Sequence, residues 1–397
     1  MLSVEEALTA ILAGAQLTPG EQVSLDRCAG RVPVDRRLRA DVDVPPFASS
    51  AMDGFALRAA DVPGELPVTG EVAAGGGLPP MLSPGSAVRI MTGAPVPAGA
   101  DAVVPIEDAN EVAGRVRLPA VTAGSHVRPA GNDIRAGDVV ELPAAPLGPA
   151  AIAVLASLGM GELAVHRRPR VAILSTGDEL IEPGQPLGPG QIPDANTFSL
   201  AAAVTEAGGE PELLPRVPDD EARTEAAIRS ATGYADLLVA SGGVSVGRYD
   251  HVRSAIERLG SLDFWRIAVQ PGKPLAFGRI GGRPVIGLPG NPVSALVTFE
   301  LFVRPLIRAM VGLSGSGRAV LPARCDEEIA KDPGRRAYLR VAVERSGAAY
   351  VARSAGGQGS AQSSTLALAN ALLVVPEGEP ATRPGATYDA VVIGGLT

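Results

Sequence analysis

Three glycine-rich turns between residues 175 and 294 combine residue types that bind anions. They are STGDEL at 175–180, SGGVSVG at 241–247 and GLPGNPVS at 287–294, and a short apolar run precedes each one. A strand that ends in glycines before a helix leaves several backbone N–H groups directed at one place, which suits phosphate or another oxyanion. Three such turns in one segment predict an α/β sheet that holds an anionic ligand in the crevice at the carboxyl ends of its strands.

The first turn also carries adjacent acids. Thr176 and Gly177 form the turn, and Asp178 and Glu179 follow it side by side. Adjacent carboxylates beside an anion site are favoured where a divalent cation joins acid to phosphate, and Mg²⁺ fits because it binds few protein ligands and completes its shell with substrate oxygens. The alternative is a pair of acids at the start of a solvated helix or loop.

The second turn offers neutral hydrogen-bond donors. Ser241, Gly242, Gly243 and Ser245 supply N–H and hydroxyl groups, and Asp250 follows them. Glycine allows the backbone to approach a ligand closely. An ordinary strand-to-helix turn that uses glycine for positive φ is the alternative interpretation.

The third turn and one lysine complete the candidates for an anion site. Pro289 and Gly290 precede Asn291, which can cap a helix, and Ser294 can face a ligand. Lys273 lies between Gly and Pro in QPGKPLAF, where a rigid turn makes it a point charge for an oxyanion. Because Pro rather than Ser or Thr follows this lysine, a Walker A loop is excluded. A plain helix cap and a solvated loop lysine are the alternatives.

The first half of the chain has fewer candidates. Asp53 in SAMDGFA and Thr92 in RIMTGAP are interpreted as turn residues of a β-rich segment that carries no other functional motif. His126, His166 and His251 share no metal-ligand spacing, and the sequence has no GxSxG elbow and no recognisable Ser–His–Asp or Cys–His arrangement. We therefore predict no histidine in the chemistry.

Composition limits the classes of function. With 397 residues, 46% of them hydrophobic, the chain is long enough for two to four globular domains. A net charge of −8 and 3% aromatic residues argue against binding of nucleic acid or of an anionic membrane. Cys28 and Cys325 form no CxxC pair, and MLSVEEAL carries acids where a signal peptide carries positive charge. We therefore expect a cytoplasmic protein.

The pattern of apolar runs, prolines and glycines changes along the chain. From 31 to 142, Pro and Gly cut short apolar runs, which predicts a β-rich domain, and a buried helix is expected over 149–158. From 169 onward, continuous apolar strands alternate with amphipathic helices, which predicts a parallel sheet covered on both faces and a last helix over 291–310. A Gly/Ser linker at 313–317 then leads to a β-rich tail.

Taken together, these segments resemble the MoeA/gephyrin family of molybdopterin molybdenumtransferases over nearly the whole chain. The segments that carry the resemblance are SAMDGFA (50–56), RIMTGAPVPAGADAVV (89–104), GNDIRAGD (131–138), STGDEL, SGGVSVG, PGKPLAFG (271–278), GLPGNPVSA, GRRAYLRV (334–341) and GSAQSSTLALAN (359–370). Any one of them could arise by chance, but nine in order are not expected to.

The resemblance implies four domains and a homodimer. The domains are an elongated N-terminal domain made of 1–40 and 131–166, an inserted β-rich domain at 41–130, a molybdopterin-binding three-layer α/β domain at 167–312 and a small C-terminal β-barrel at 313–397. It further implies that the active cleft lies between the α/β and tail domains of one subunit and the inserted domain of the other. Asp53 and Thr92 would then act across the subunit interface.

The resemblance also implies a reaction. Adenylylated molybdopterin is cleaved with Mg²⁺, AMP leaves, and molybdate delivers molybdenum to the dithiolene sulfurs. Asp178, Glu179 and Asp250 would hold the cation. The substrate-binding residues would be Thr176, Gly177, Ser241, Gly242, Gly243, Ser245, Pro289, Gly290 and Asn291, with Lys273, Ser294, Arg335 and Ser360 for molybdate. The implied partners are a molybdopterin adenylyltransferase and molybdoenzyme acceptors.

Three positions depart from the family pattern, and the serines of the tail match it loosely. Arg248 stands where the family often has an acid, Gln270 replaces a lysine before PGKP, and Phe55 stands for a frequent Tyr. The tail serines match loosely, so Ser363 is an alternative to Ser360.

Two other functions compete with this one. The α/β domain could adenylylate molybdopterin, as the related MogA-like single-domain proteins do, but those proteins lack the long N-terminal half and the tail. A non-catalytic scaffold of the gephyrin type is the second alternative, although this chain has no long linker or added binding module and keeps the acids that chemistry needs.

Overall fold

The structure is a computed structural model that describes residues 1–244, 250–313 and 317–396. The chain divides into a large unit, formed by Met1–Glu21 and the chain from His166 onward, and a small unit, Gln22–Val165. The four-domain division implied by the resemblance is finer than this and stays a prediction.

The chain starts with helix α1 (Val4–Leu12) and then forms strand β1 (Gly20–Ser24). A capping box starts α1: the Ser3 side chain accepts from the Glu6 N–H, and the Glu6 carboxylate accepts from the Ser3 N–H. The apolar stripe of α1 packs into the core of the large unit through Val4, Ala7 and Ile11.

Strands dominate the small unit. Its elements are β2 (Arg37–Arg39), β3 (Ser49–Ser50), β4 (Gly54–Leu57), β5 (Gly64–Val72), β6 (Ala87–Ile90), β7 (Ala102–Pro105), β8 (Asn110–Val112), β9 (Arg115–Leu118), β10 (Val127–Arg128), β11 (Val139–Glu141) and α2 (Pro149–Ser157). A six-stranded sheet has the order β7-β4-β6-β5-β9-β8. β4 is buried throughout, because Phe55 and Leu57 face one core and Ala56 faces the other. The predicted β-rich segment and the helix near 149–158 are confirmed.

The rest of the large unit alternates strands and helices. Strand β12 (Glu162–His166) ends at the first residue of this part of the chain. The elements that follow it up to residue 309 are β13 (Arg170–Ser175), β14 (Leu180–Ile181), β15 (Ile192–Pro193), α3 (Ala195–Ala207), β16 (Glu210–Leu213), α4 (Glu221–Thr232), β17 (Leu237–Ser241), α5 (His251–Leu259), β18 (Ser261–Arg266), β19 (Val269–Gln270), β20 (Pro274–Ile280), β21 (Arg283–Leu288), α6 (Pro292–Thr298), a π-helical turn (Phe299–Val303) and α7 (Arg304–Ala309).

The central sheet of the large unit has the order β16-β13-β17-β21-β20-β18. β16, β13, β17 and β21 run parallel, and alternate residues of β13 and β17 enter two different cores, which explains their continuous apolar sequence. The prediction of a parallel sheet is wrong at one edge, where β20 is antiparallel to both β21 and β18. The cause is a two-residue hairpin: Gly281 and Gly282, both at positive φ, join β20 directly to β21.

The predicted last helix over 291–310 is helical but not continuous. The π-helical turn Phe299–Val303 separates α6 from α7. Pro305 lacks the N–H that an α-helical hydrogen bond to the Leu301 carbonyl requires, which favours the wider turn at this point.

The tail forms a closed five-stranded barrel. Its elements are β22 (Val320–Cys325), β23 (Arg336–Ser346), β24 (Ala349–Ser354), α8 (Ser363–Leu368), β25 (Ala371–Val375) and β26 (Ala386–Val392). The strands follow the order β23-β24-β22-β26-β25, and β25 pairs back with β23. The predicted C-terminal β-barrel is confirmed.

Across the described ranges, no helix combines the length and the apolar character needed to cross a membrane.

Candidate functional site

The carboxyl ends of β13, β17 and β21 border a cleft of about 610 Å³ in the large unit, which we call the cleft. In the sheet, Ser175 pairs with Ser241, and Ser241 pairs with Leu288, so the three glycine-rich turns follow neighbouring strands. The predicted residues that line the cleft are Thr176, Gly177, Glu179, Ser241, Gly242, Gly243, Asp250, Pro289, Gly290 and Asn291. The predicted convergence of the three turns is therefore seen in the structure.

Some backbone amides of the turns serve the sheet instead of the cleft. The N–H of Gly242 donates to the Leu288 carbonyl (3.1 Å), and the N–H of Gly177 donates to the Val217 carbonyl (3.3 Å). Gly242 has a φ of 90°, and a Cβ there would lie 3.0 Å from the Thr176 carbonyl oxygen. The glycine at 242 is thus required by the backbone conformation and by the close approach of the first turn.

Acids gather at the same edge, but not in the predicted set. Glu179 and Asp250 line the cleft together with Asp194 and Asp219. Asp178 does not line it, and its Oδ1 accepts a hydrogen bond from the Asp219 N–H (3.1 Å). Among the residues described, no group of three or more His, Cys, Asp or Glu side chains lies close enough to hold a metal ion. The predicted trio of metal ligands is therefore not assembled as three carboxylates in this structure.

The start of α3 supplies two cleft residues that the sequence analysis missed. Asp194 caps the helix by accepting from the Thr197 N–H (3.0 Å) and the Thr197 hydroxyl (2.6 Å). Asn196 donates through Nδ2 to Ser241 Oγ (2.7 Å) and to the Gly290 carbonyl (2.7 Å). The signal was available, because an aspartate before a helical run marks an N-cap.

The third turn meets the tail loop. Asn291 does not cap α6 through its side chain, contrary to the expectation. Its Nδ2 donates to Ser360 Oγ (3.0 Å), and the N–H of Val293 donates to the Ser360 carbonyl (3.2 Å). Ala361, next in the tail loop, lines the cleft. The barrel therefore closes one side of the cleft through this loop.

The remaining candidates for an oxyanion lie away from the lining of the cleft. Lys273 is exposed, while its neighbour Pro274 lines the cleft. Ser294 is buried on α6. Arg335 forms an ion pair with Asp332. Ser245 and the departure at Arg248 fall in residues 245–249, outside the described residues.

Arg340 holds the tail loop and was also missed. Its side chain is completely buried in β23. Nε donates to Thr365 Oγ1 (2.7 Å), and Nη2 donates to the carbonyls of Gly357 (2.7 Å) and Gly359 (3.0 Å). Within the described residues, no acceptor reaches Nη1. Burial lowers the pKa of this guanidinium, whose partners here are neutral oxygens.

In the small unit, the predicted pair comes together. Asp53 Oδ1 accepts from the Thr92 N–H (2.6 Å) and from Thr92 Oγ1 (2.7 Å), and both residues are exposed. The backbone hydrogen bond first, and the hydroxyl second, lower the pKa of Asp53. Asp53 is therefore a carboxylate held in one orientation at the surface of its unit.

Three family models match most of the chain. Residues 2–159 match the MoeA N-terminal region (domain I and II), residues 172–309 a probable molybdopterin binding domain, and residues 322–393 the MoeA C-terminal region (domain IV).

Individual relatives agree. Molybdopterin molybdenumtransferase 2 of Mycobacterium tuberculosis (strain CDC 1551 / Oshkosh) is 40% identical over 355 residues, which cover 85% of this chain and 86% of the relative. Molybdopterin molybdenumtransferase of Haemophilus influenzae is 40% identical over 79% of this chain and 78% of its own. The crystal structure of the molybdopterin biosynthesis MoeA protein of Pyrococcus horikosii superposes with a TM-score of 0.84, at 33% identity and full coverage of both chains. The chain belongs to the molybdopterin molybdenumtransferase (MoeA) family.

Proposed function

We propose that this protein transfers molybdenum from molybdate to adenylylated molybdopterin in the cytoplasm, with Mg²⁺-dependent release of AMP. The observation that carries the proposal is the cleft: three strand-end turns, two of the predicted acids and a loop of the barrel meet around one space. This arrangement can hold a phosphate-bearing ligand and a metal oxyanion side by side. Catalysis in such a site proceeds through positioning and charge neutralisation, without a covalent protein intermediate.

The turns would hold the pyrophosphate of the substrate. Ser241 lies at the end of a buried central strand, and Gly243 and Gly290 lie on the adjacent turns. Small residues leave room for phosphate oxygens close to the backbone.

The donor set of the cleft fits Mg²⁺. Mg²⁺ commonly takes one or two protein carboxylates and fills its octahedral shell with water and phosphate oxygens. Glu179 and Asp250 would supply these carboxylates, and a Cβ at Gly177 would lie only 2.5 Å from Glu179 Oε2, so this carboxylate covers the first turn. Asp178 would act from outside the cleft, through its bond to the backbone of Asp219. When bound, the ion neutralises charge on the phosphate oxygens during cleavage.

Molybdate would bind beside the tail loop. A tetrahedral dianion is best held by cations and hydroxyl groups. Ser360, Lys273 and Ser294 are the candidates from the sequence, together with Arg335. Arg340 joins them because it fixes the loop of Ser360 from beneath and has an unpaired Nη1 within the described structure.

The proposed assembly is a homodimer in which Asp53 and Thr92 complete the cleft of the partner subunit. Their mutual hydrogen bonds orient a carboxylate at an exposed surface, where a second chain can meet it. Transient contact with a molybdopterin adenylyltransferase and with molybdoenzyme acceptors is part of the same proposal.

The test supplies the purified protein with adenylylated molybdopterin, molybdate and Mg²⁺ and follows AMP by chromatography. Consumption of the adenylylated pterin with stoichiometric AMP and molybdenum cofactor supports the proposal. A parallel reaction with ATP and molybdopterin measures adenylylation. Prompt formation of adenylylated molybdopterin there, with no AMP release in the first reaction, would contradict the proposal.

A further inference from the structure

One amide side chain joins two of the three turns that border the cleft. Asn196 is the second residue of α3 and is only 8% exposed. Its Nδ2 donates to Ser241 Oγ and to the Gly290 carbonyl, each at 2.7 Å. This single NH₂ group therefore bridges the turn after β17 and the turn after β21 and sets the distance between them.

The orientation of this amide is determined by its partners. The Gly290 carbonyl can only accept a hydrogen bond, so the nitrogen of Asn196 must face it. A flipped side chain would place Oδ1 against that carbonyl. The position of Oδ1 is thus fixed, and within the described residues no donor reaches it.

The helix that carries Asn196 is itself fastened to the sheet. The N–H and the hydroxyl of Thr197 both donate to the N-cap residue Asp194. The Thr197 hydroxyl also lies 2.7 Å from Ser175 Oγ at the end of β13. The backbone of Asn196 is therefore fixed next to the sheet, and its two Nδ2 hydrogen bonds hold the side chain.

A second asparagine, which is only partly buried, shows what a purely structural role looks like. Asn370, in the barrel, accepts from the Val343 N–H (2.7 Å) and donates to the carbonyls of Val343 (2.9 Å) and Gly395 (3.3 Å). Both of its polar atoms are satisfied within the protein. Asn196, in contrast, lines a cleft and keeps a buried acceptor that requires a donor from outside the described structure.

We propose that Asn196 is a positioning residue that sets the spacing of the Ser241 and Gly290 turns, and that its Oδ1 accepts a hydrogen bond from an N–H or O–H group of the substrate. This inference rests on the proposed function, since it concerns the same cleft. The donor belongs either to the nucleotide half or to the pterin half of the substrate. A bare oxyanion carries no such donor, so Asn196 distinguishes the organic substrate from molybdate.

The decisive variant is Asn196→Asp, which keeps the shape but replaces NH₂ by oxygen. Ionised, the new carboxylate faces the Gly290 carbonyl without a hydrogen, so the affinities for AMP and for molybdopterin, measured separately by calorimetry, should fall by on the order of tenfold to a hundredfold. Below the pKa of the new carboxyl, its O–H can donate to Gly290, and part of the affinity should return. Asp194, Asp219, Glu179 and Asp250 also border the cleft, so variant and wild type are compared at each pH.

Asn370→Asp is the matched control. It should lower the thermal unfolding temperature and leave the affinities for AMP and molybdopterin unchanged at every pH. Asn196→Asp keeps an acceptor oxygen at Oδ1, whereas Asn196→Ser removes it. The ligand whose affinity falls further in Asn196→Ser than in Asn196→Asp is therefore the half of the substrate that donates to Oδ1.

Equal binding of both ligands by Asn196→Asp and wild type across the pH range, with only a loss of stability, would overturn the inference. If Asn196→Asp does not fold, Asn196→Ser keeps one hydroxyl that cannot span both turns, and wild-type affinity in that variant would overturn the inference equally. Failure of the wild-type protein to bind AMP and molybdopterin is a different result, because it refutes the proposed function and not the role of Asn196 alone.

Discussion

The two sides of the cleft are built on opposite electrostatic principles. On the α/β side, Glu179, Asp219 and Asp250 present carboxylates, and a neutral amide, Asn196, ties the turns together. On the barrel side, the loop of Ser360 is tied to a buried cation, Arg340. An acidic wall favours a ligand that arrives with a cation, and a wall backed by a guanidinium favours a bare anion.

The contrast teaches how one space can serve two anionic substrates. A pyrophosphate bound with Mg²⁺ is compatible with the acids, whereas molybdate would be repelled by them. The barrel loop reaches the cleft through Ala361, and the buried Arg340 holds this loop from beneath. In the proposed reaction, the two substrates are therefore sorted by the two walls before they meet.

The largest expected effect comes from removing the cation of the barrel wall. Arg340→Met leaves the Gly357 and Gly359 carbonyls and the Thr365 hydroxyl without their donor, which should cost about 3 kcal/mol of stability and release the Ser360 loop. Molybdenum transfer should fall by roughly a hundredfold while AMP still binds. Arg345→Met, at an exposed position of the same strand, is the control.

Differential scanning calorimetry and the transfer assay check this prediction together. Wild-type transfer by a folded Arg340→Met protein would show that the barrel wall does not depend on its cation.

The acidic wall can be broken by Glu179→Gln. This variant removes one carboxylate from the cleft, so AMP release should fall about tenfold to a hundredfold at low Mg²⁺ and recover at high Mg²⁺. Asp178→Asn should have a smaller effect, because Asp178 lies outside the lining and its Oδ1 binds the backbone of Asp219. Glu182→Gln, exposed in the following segment, is the control.

AMP release against Mg²⁺ concentration is the measurement. Identical Mg²⁺ curves for Glu179→Gln and wild type would remove the cation from the acidic wall.

Local patterns were sufficient for most of the acidic wall. Glycines after apolar runs located the turns at Thr176, Ser241 and Gly290, because parallel strands bring their carboxyl ends to one edge. The adjacent glycines Gly281 and Gly282 also predict a hairpin, but the expectation of a parallel sheet does not take them into account. Strand direction there is set by a two-residue loop, which is a shorter-range signal than the alternation of strands and helices.

The sequence does not predict the buried arginine of the barrel wall or the asparagine that links two of the turns. Arg340 is buried because strand pairing and the tail loop enclose it, and a sequence pattern alone favours an exposed arginine. Asn196 acquires its role only when Ser241 and Gly290, 45 and 94 residues further along the chain, come within reach. Such roles depend on tertiary distances.

The proposed sharing of the cleft can be tested by complementation. Asp53→Ala and Lys273→Ala subunits, each inactive alone, should recover about a quarter of wild-type activity when co-expressed, because half of the randomly formed dimers are mixed and each carries one intact cleft. Mixed dimers isolated with two affinity tags are assayed for AMP release, and in this fraction the expected activity rises to about half of wild type. Absence of any recovery in isolated mixed dimers would mean that Asp53 serves its own subunit or none.

The smallest expected effect concerns the orientation of Asp53. Two hydrogen bonds from Thr92 lower the pKa of this carboxyl, so they favour the charged form above the unfolded-state pKa and cease to contribute as the pH falls through the folded-state pKa. Thr92→Val removes the hydroxyl and keeps the N–H, and the pKa of Asp53 should rise towards, but not reach, its ordinary value. Carboxyl NMR titration measures this shift, with Thr69→Val in the same unit as the control. An unchanged titration in Thr92→Val would assign the whole shift to the backbone N–H, and the hydroxyl would then be available to a ligand on the partner subunit.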